Sequence, residues 1–96
     1  MKTGIELITK ERHEQIYKHK ITPEFDFKHN SEEQLVLGAI DLLLVDEIMS
    51  DDEIKYVTPK GWDADIFLKI CSKPYKERLI IAGAFIAAEI DRLQYK

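Results

Sequence analysis

Leu35-Val36-Leu37-Gly38-Ala39-Ile40-Asp41-Leu42-Leu43-Leu44-Val45 is apolar at nearly every position, and Ile48 and Met49 extend the run. Ser31 and Gln34 stand before it at the spacing of a capping box, so a helix is predicted to begin there and run to Met49. A helix apolar on most sides is central, or it keeps one face in an oligomer. The chain ends with a second such stretch. Leu79, Ile80, Ile81, Phe85, Ile86, Ile90 and Leu93 predict a core helix from Ser72-Lys73-Pro74 to about Gln94, with proline in its first turn. Its small residues, Ala82, Gly83, Ala84, Ala87 and Ala88, let a neighbouring helix approach closely.

Working outward, Thr3 and Glu6 form a capping box for a first helix, Gly4 to about His19. Ile5, Ile8, Arg12, Ile16 and His19 share one of its faces, with Gln15 beside it and Glu11 on the flank. A short helix is expected from Asp63 to Cys71, turning Ile66, Phe67 and Ile70 inward. Residues 20–30 and 50–62 are expected to be long connections. Pro23 biases Thr22 towards extended backbone, and Phe25 and Phe27 are expected to pin the first connection on the core. The second is acidic, then turn-like at Pro59 and Gly61; a short strand over Ile54–Val57 is conceivable. The fold class is therefore all-α: one domain, a compact antiparallel bundle of three long helices and one short one.

The bulk numbers agree with this. Ninety-six residues make one domain, and 45% hydrophobic with 33% charged residues excludes a disordered chain. A net charge of -4 argues against nucleic acid, whose non-specific binding draws on basic residues. Basic Lys10, Arg12, Lys18 and Lys20 are interleaved with Glu11 and Glu14, the pattern of a solvated mixed-charge face. No apolar stretch reaches the roughly 18 residues of a membrane span, and charges at Glu6, Lys10 and Glu11 interrupt any signal-peptide core. The single cysteine, Cys71, suits a reducing interior as a small core residue. A cytoplasmic protein, and a homo-oligomer on the strength of the apolar helices, is the expectation.

Candidate chemistry gathers in few places. Arg12 and Gln15 lie on or beside a buried-looking face. An arginine fork fits phosphate or carboxylate, and glutamine donates and accepts; alternatively the Arg12 stem covers the core while its head pairs with an acid. Asp41 and Glu89 are carboxylates among apolar neighbours. Facing each other they would hold a divalent metal ion; otherwise Glu89 pairs with Arg92, and Asp41 with Arg12. Asp26 and His29, beside Asn30, could ligate a metal or serve as acid and base, or merely cap turns. Trp62 could stack on a base or plug its loop onto the core.

The order of these residues carries a resemblance. Glu11-Arg12-x-x-Gln15-Ile16 is followed by Thr22-Pro23-Glu24-x-Asp26, His29, Pro59-x-x-Trp62 and Arg78-Leu79-Ile80-x-Ala82-Gly83-Ala84. Ala88-Glu89-Ile90-Asp91-Arg92-Leu93 closes the series. The chain resembles, over about residues 5–94, the phage and prophage family of the dATP/dGTP diphosphohydrolase N-terminal domain. Its motifs are E-R-x-x-Q, G-W-T-x-E-H-D-x-x-H, G-E-L-x-x-A-A and K-A-G-A-L-I-x-A-E-I-x-R-L. The family's loop Gly-Trp is Lys20-Ile21 here, and its Gly-Glu-Leu is Glu33-Gln34-Leu35. The resemblance implies a magnesium-dependent pyrophosphohydrolase cleaving a dNTP to dNMP and pyrophosphate. It implies catalytic roles for Glu11, Arg12, Asp26 and His29, substrate contacts from Gln15 or Trp62, and Glu89 near the site.

Overall fold

The computed structural model describes residues 1–48 and 50–95, without the side chains of residues 45–48. Val45 and Ile48, expected on the core face, and Met49, the expected helix end, lie outside that description. Among the described residues there are six helices and no strand. The helices are α1 (Gly4–Tyr17), α2 (Pro23–His29), α3 (Gln34–Ile48), α4 (Asp51–Tyr56), α5 (Ala64–Cys71) and α6 (Tyr75–Gln94). Three are long, as expected; three are short, where one was expected.

The ends follow local chemistry. The Thr3–Glu6 capping box closes α1 reciprocally, and Asp63 caps α5 by accepting from the Ile66 N–H at 3.0 Å. Residues 23–29 are a helix rather than a loop. Thr22 is extended, as Pro23 requires of its predecessor, but that is the geometry of an N-cap: its hydroxyl accepts from Phe25 N–H at 3.1 Å, with Pro23 in the first turn. Ile54–Val57 is likewise not a strand. Ser50 caps α4, and three acids in the first turn and Lys55 in the last favour its dipole. Ser31 does not cap α3, which begins only at Gln34.

The helix α6 is the hub on which α1, α2 and α3 pack, while α5 bridges α3 and α4. A Cβ on Gly38 would meet Phe85, and the Leu42 carbonyl accepts from Arg78 Nη1, so α3 and α6 run antiparallel. Glycine is required where rings and branches press on backbone. A Cβ on Gly38 would lie 2.8 Å from the Trp62 ring, and one on Gly83 2.6 Å from Ile8 Cδ1. The core joins Leu35, Ala39 and Leu42 of α3 to Phe67 and Cys71 of α5, Ile54 of α4, and Ile81 and Phe85 of α6.

Several expected core residues face outward. Phe25 and Phe27 are exposed rather than in the core, Phe27 with its ring 5.4 Å from that of Tyr95, and Ile66 of α5 is exposed. On α6, Leu79, Ile86, Ile90 and Leu93 are exposed, as are Leu37, Ile40, Leu43 and Leu44 of α3. No described helix is long and apolar enough to cross a membrane.

Candidate functional site

The two buried residues of α1 are polar: Arg12 and Gln15. Arg12 Nη1 donates to the Ile21 carbonyl at 3.0 Å, which ties the chain after α1 back onto it. Its Nη2 donates to Asp91 Oδ2 at 3.4 Å and lies 3.9 Å from Asp26 Oδ2. The short helix α2 turns Asp26 fully inward, and Asn30 follows one turn later on the same side. The Asn30 amide donates to Asp26 Oδ1 at 2.7 Å, and Asn30 Oδ1 accepts from Trp62 Nε1 at 2.8 Å. One polar relay thus runs Trp62–Asn30–Asp26–Arg12–Asp91, joining segments far apart in sequence. The Trp62 ring itself packs edge-on against Phe67 and Phe85.

Beside the relay, Arg92 clasps Glu89 with both nitrogens, Nε at 2.5 Å and Nη2 at 3.0 Å. This is the ion pair with the next turn that the spacing allowed. Burial holds the Asp26 carboxyl above its usual range, against the Asn30 amide and the Arg12 charge; Glu89 adds to the rise. Three polar atoms here are buried without a hydrogen-bond partner: Arg12 Nε, Gln15 Oε1 and Asp26 Oδ2. Gln15 Nε2 donates to Glu11 Oε2 at 3.4 Å. Glu11 borders an open cleft of about 220 Å³ between α1 and α6, walled by Lys10, Glu14, Lys73 and Glu77. Burial raises the Glu11 carboxyl, opposed by the Gln15 amide.

The structure therefore brings together Arg12, Asp26, Trp62 and Glu89, with Glu11 and Gln15 on the adjoining face of α1. His29 stays out: it is exposed, its ring 4.5 Å from that of Phe25 and outside the relay. Asp41 is also elsewhere. Among the described residues its Oδ2 has no hydrogen-bond partner, and it lies near Cys71, at the Arg78 end of α6. From Arg78 to Glu89 the helix axis advances roughly 16 Å, so Asp41 and Glu89 do not face each other as a metal pair. Among the described residues, no three His, Cys, Asp or Glu side chains gather to hold a metal. Burial pushes the Cys71 thiol up to about 11, with Asp41 adding to it, so Cys71 is an inert core residue.

Two functional-looking residues escaped the sequence reading. Asn30 stood in the sequence only as a neighbour of Asp26 and His29, yet its spacing of four from Asp26 is the signal for a side-chain bridge on one helix face. Arg78 is almost wholly buried: Nε donates to the Lys73 carbonyl at 2.9 Å and Nη1 to the Leu42 carbonyl at 2.8 Å. Its place on the stripe of Ile81, Ala82 and Phe85 was as legible as that of Arg12 on its own face. Comparison with protein-family models, with curated proteins and with solved structures finds no match to the chain.

Proposed function

We propose that this chain is a phage- or prophage-type dNTP pyrophosphohydrolase-like protein, binding nucleotide along α1, whose Glu11 borders the cleft against Lys73 and Glu77 and whose Arg12 joins the buried relay. One observation carries the reading. Arg12, Asp26 and Trp62, residues of the resembling motifs drawn from separate stretches, enter one network, and Arg12 Nε within it and Gln15 Oε1 beside it are buried without a hydrogen-bond partner. Interiors rarely leave such atoms unsatisfied. A phosphate oxygen would accept from Arg12 Nε, and a base or sugar donor would satisfy Gln15 Oε1. The backbone adds support. Among the described residues, the non-glycine residues with positive φ are Lys20 (60°) and Glu33 (66°), the positions where the family's G-W-T and G-E-L motifs carry glycine.

In this reading Glu11, open to the cleft, takes the proton of the attacking water. Arg12 offsets charge developing on the phosphate. Asp26, fully buried, is a positioning residue that holds Arg12. Magnesium enters with the substrate, whose phosphates commonly carry it with few protein ligands. The test is pyrophosphate release from each dNTP, with and without magnesium. Wild type is expected to release it from at least one, and Glu11→Gln to lose ten-fold or more with unchanged circular dichroism. No release above Glu11→Gln for any dNTP overturns the reading.

A second reading has its own observation. Asp26 and Arg12 are already enclosed and mutually paired, whereas α3 and α6 leave apolar side chains outward. A non-catalytic helical interaction module fits that arrangement. A nucleotide-induced rise in melting temperature that Gln15→Leu abolishes would decide for the first reading; binding to a protein with no such rise would decide for the second.

A further inference from the structure

Arg92 and Arg12 meet carboxylates in different ways. Nε and Nη2 form one edge of a guanidinium, at a spacing that matches two oxygens of a carboxylate or a phosphate. At Arg92 that edge is filled: Nε and Nη2 each donate to an oxygen of Glu89, at 2.5 Å and 3.0 Å. At Arg12 it is half-filled. Nη1 holds the Ile21 carbonyl, and Nη2 donates to a single Asp91 oxygen at 3.4 Å. Among the described residues, Nε of this buried arginine has no hydrogen-bond partner.

The two acids beside Arg12 are unequal. Asp26 is wholly buried, 3.9 Å from Nη2, and its Oδ1 is held by the Asn30 amide at 2.7 Å. Asp91 stands on the outer side: its side chain is 43% exposed. Moving Asp26 off Arg12 would strand a carboxylate in the interior, whereas Asp91 can swing into water at small cost. An oxyanion taking both Nε and Nη2 makes two charge-assisted hydrogen bonds where Asp91 makes one long one. It therefore displaces Asp91 and leaves Asp26 in place. Arg92 offers no rival fork, because Glu89 already closes its edge.

We infer that the Nε–Nη2 edge of Arg12 seats a substrate phosphate and that Asp91 is its internal competitor, occupying Nη2 until the phosphate displaces it. The identity of the anion rests on the nucleotide reading. Calorimetric titration of the full chain with inorganic pyrophosphate tests the inference. Wild type is expected to bind, and Asp91→Asn to bind about ten-fold tighter. Asp91→Ser is expected to gain likewise, since it removes the same charge by a different side chain. Asp52→Asn, which removes a charge on exposed α4 surface, is expected to bind as wild type does. Arg12→Lys is expected to lose most of the affinity with unchanged helicity, because an ammonium is a point charge without an edge. An Asp91 that is only a structural ion pair would lower the melting temperature when replaced and leave affinity where it was. Unchanged affinity in both Asp91 variants, an equal gain in Asp52→Asn, full affinity in Arg12→Lys, or no binding by wild type and Asp91→Asn alike overturns the inference. The two readings fail separately. Pyrophosphate release from a dNTP with no gain in Asp91→Asn removes the competitor alone; a gain without release removes the hydrolase alone.

Discussion

Asp41 shows how one side chain sets a pH dependence. It sits on α3 among apolar neighbours, and burial pushes its carboxyl from the ordinary 3.8 up to about 6. The folded chain then holds the proton more tightly than the unfolded one, so stability falls as pH rises from about 4 through about 6. Above that window the cost is fully present; below it the cost vanishes. Asp41→Asn is therefore expected to stabilise the fold at pH 7.5 by about 1 kcal/mol, discounted for partial exposure, and by almost nothing at pH 4. Urea titrations at the two pH values check this, and an equal gain at both would refute it. The sequence exposed Asp41 as a carboxylate in apolar company and offered Arg12 as its counter-charge. The expected Arg12 partner is bound instead by Asp26, Asp91 and the Ile21 carbonyl. Pattern on one helix says which way a side chain points; only packing says what meets it.

Among the elements, α1, α5 and α6 were legible, α1 from its capping box and α6 from its long apolar content, although Pro74 gives α6 no side-chain cap. The helices α2 and α4 were not, although their caps stood in the sequence. Thr22-Pro23-Glu24 is an N-cap, a first-turn proline and an acid, and Ser50 precedes Asp51, Asp52 and Glu53. Proline and acidic residues were weighed as turn formers, and short helices have little apolar period to oppose that. The two caps differ in consequence. Thr22 starts the helix that carries Asp26 and Asn30, and Asn30 holds the Trp62 indole. Thr22→Ala and Ser50→Ala are each expected to cost about 1 kcal/mol. Only Thr22→Ala should shift Trp62 fluorescence to the red under native conditions, because α2 would loosen its hold on the ring. Equal shifts in both variants, or none in either, would break the link between the α2 cap and the relay.

At the scale of the whole molecule, the all-helical class and the central place of the apolar helices followed from hydrophobic pattern. What pattern could not divide was inside from outside on a helix apolar all round. On α3, Leu35 and Leu42 are buried while Leu37 and Ile40 are not, though all four are equally apolar. A chain this small buries a modest share of its surface and has little stability in reserve. What reserve there is lies in the enclosed side of each apolar helix. Ile40→Lys with Ile90→Lys changes two exposed positions where a lysine stem still covers the helix, so the pair is expected to cost no more than about 1 kcal/mol. Leu42→Ala empties a wholly buried site on the same α3 and is expected to cost about 3 kcal/mol. Urea titrations of the three chains side by side check this division. A double-lysine variant as unstable as Leu42→Ala would mean that the outward sides of α3 and α6 are not in water.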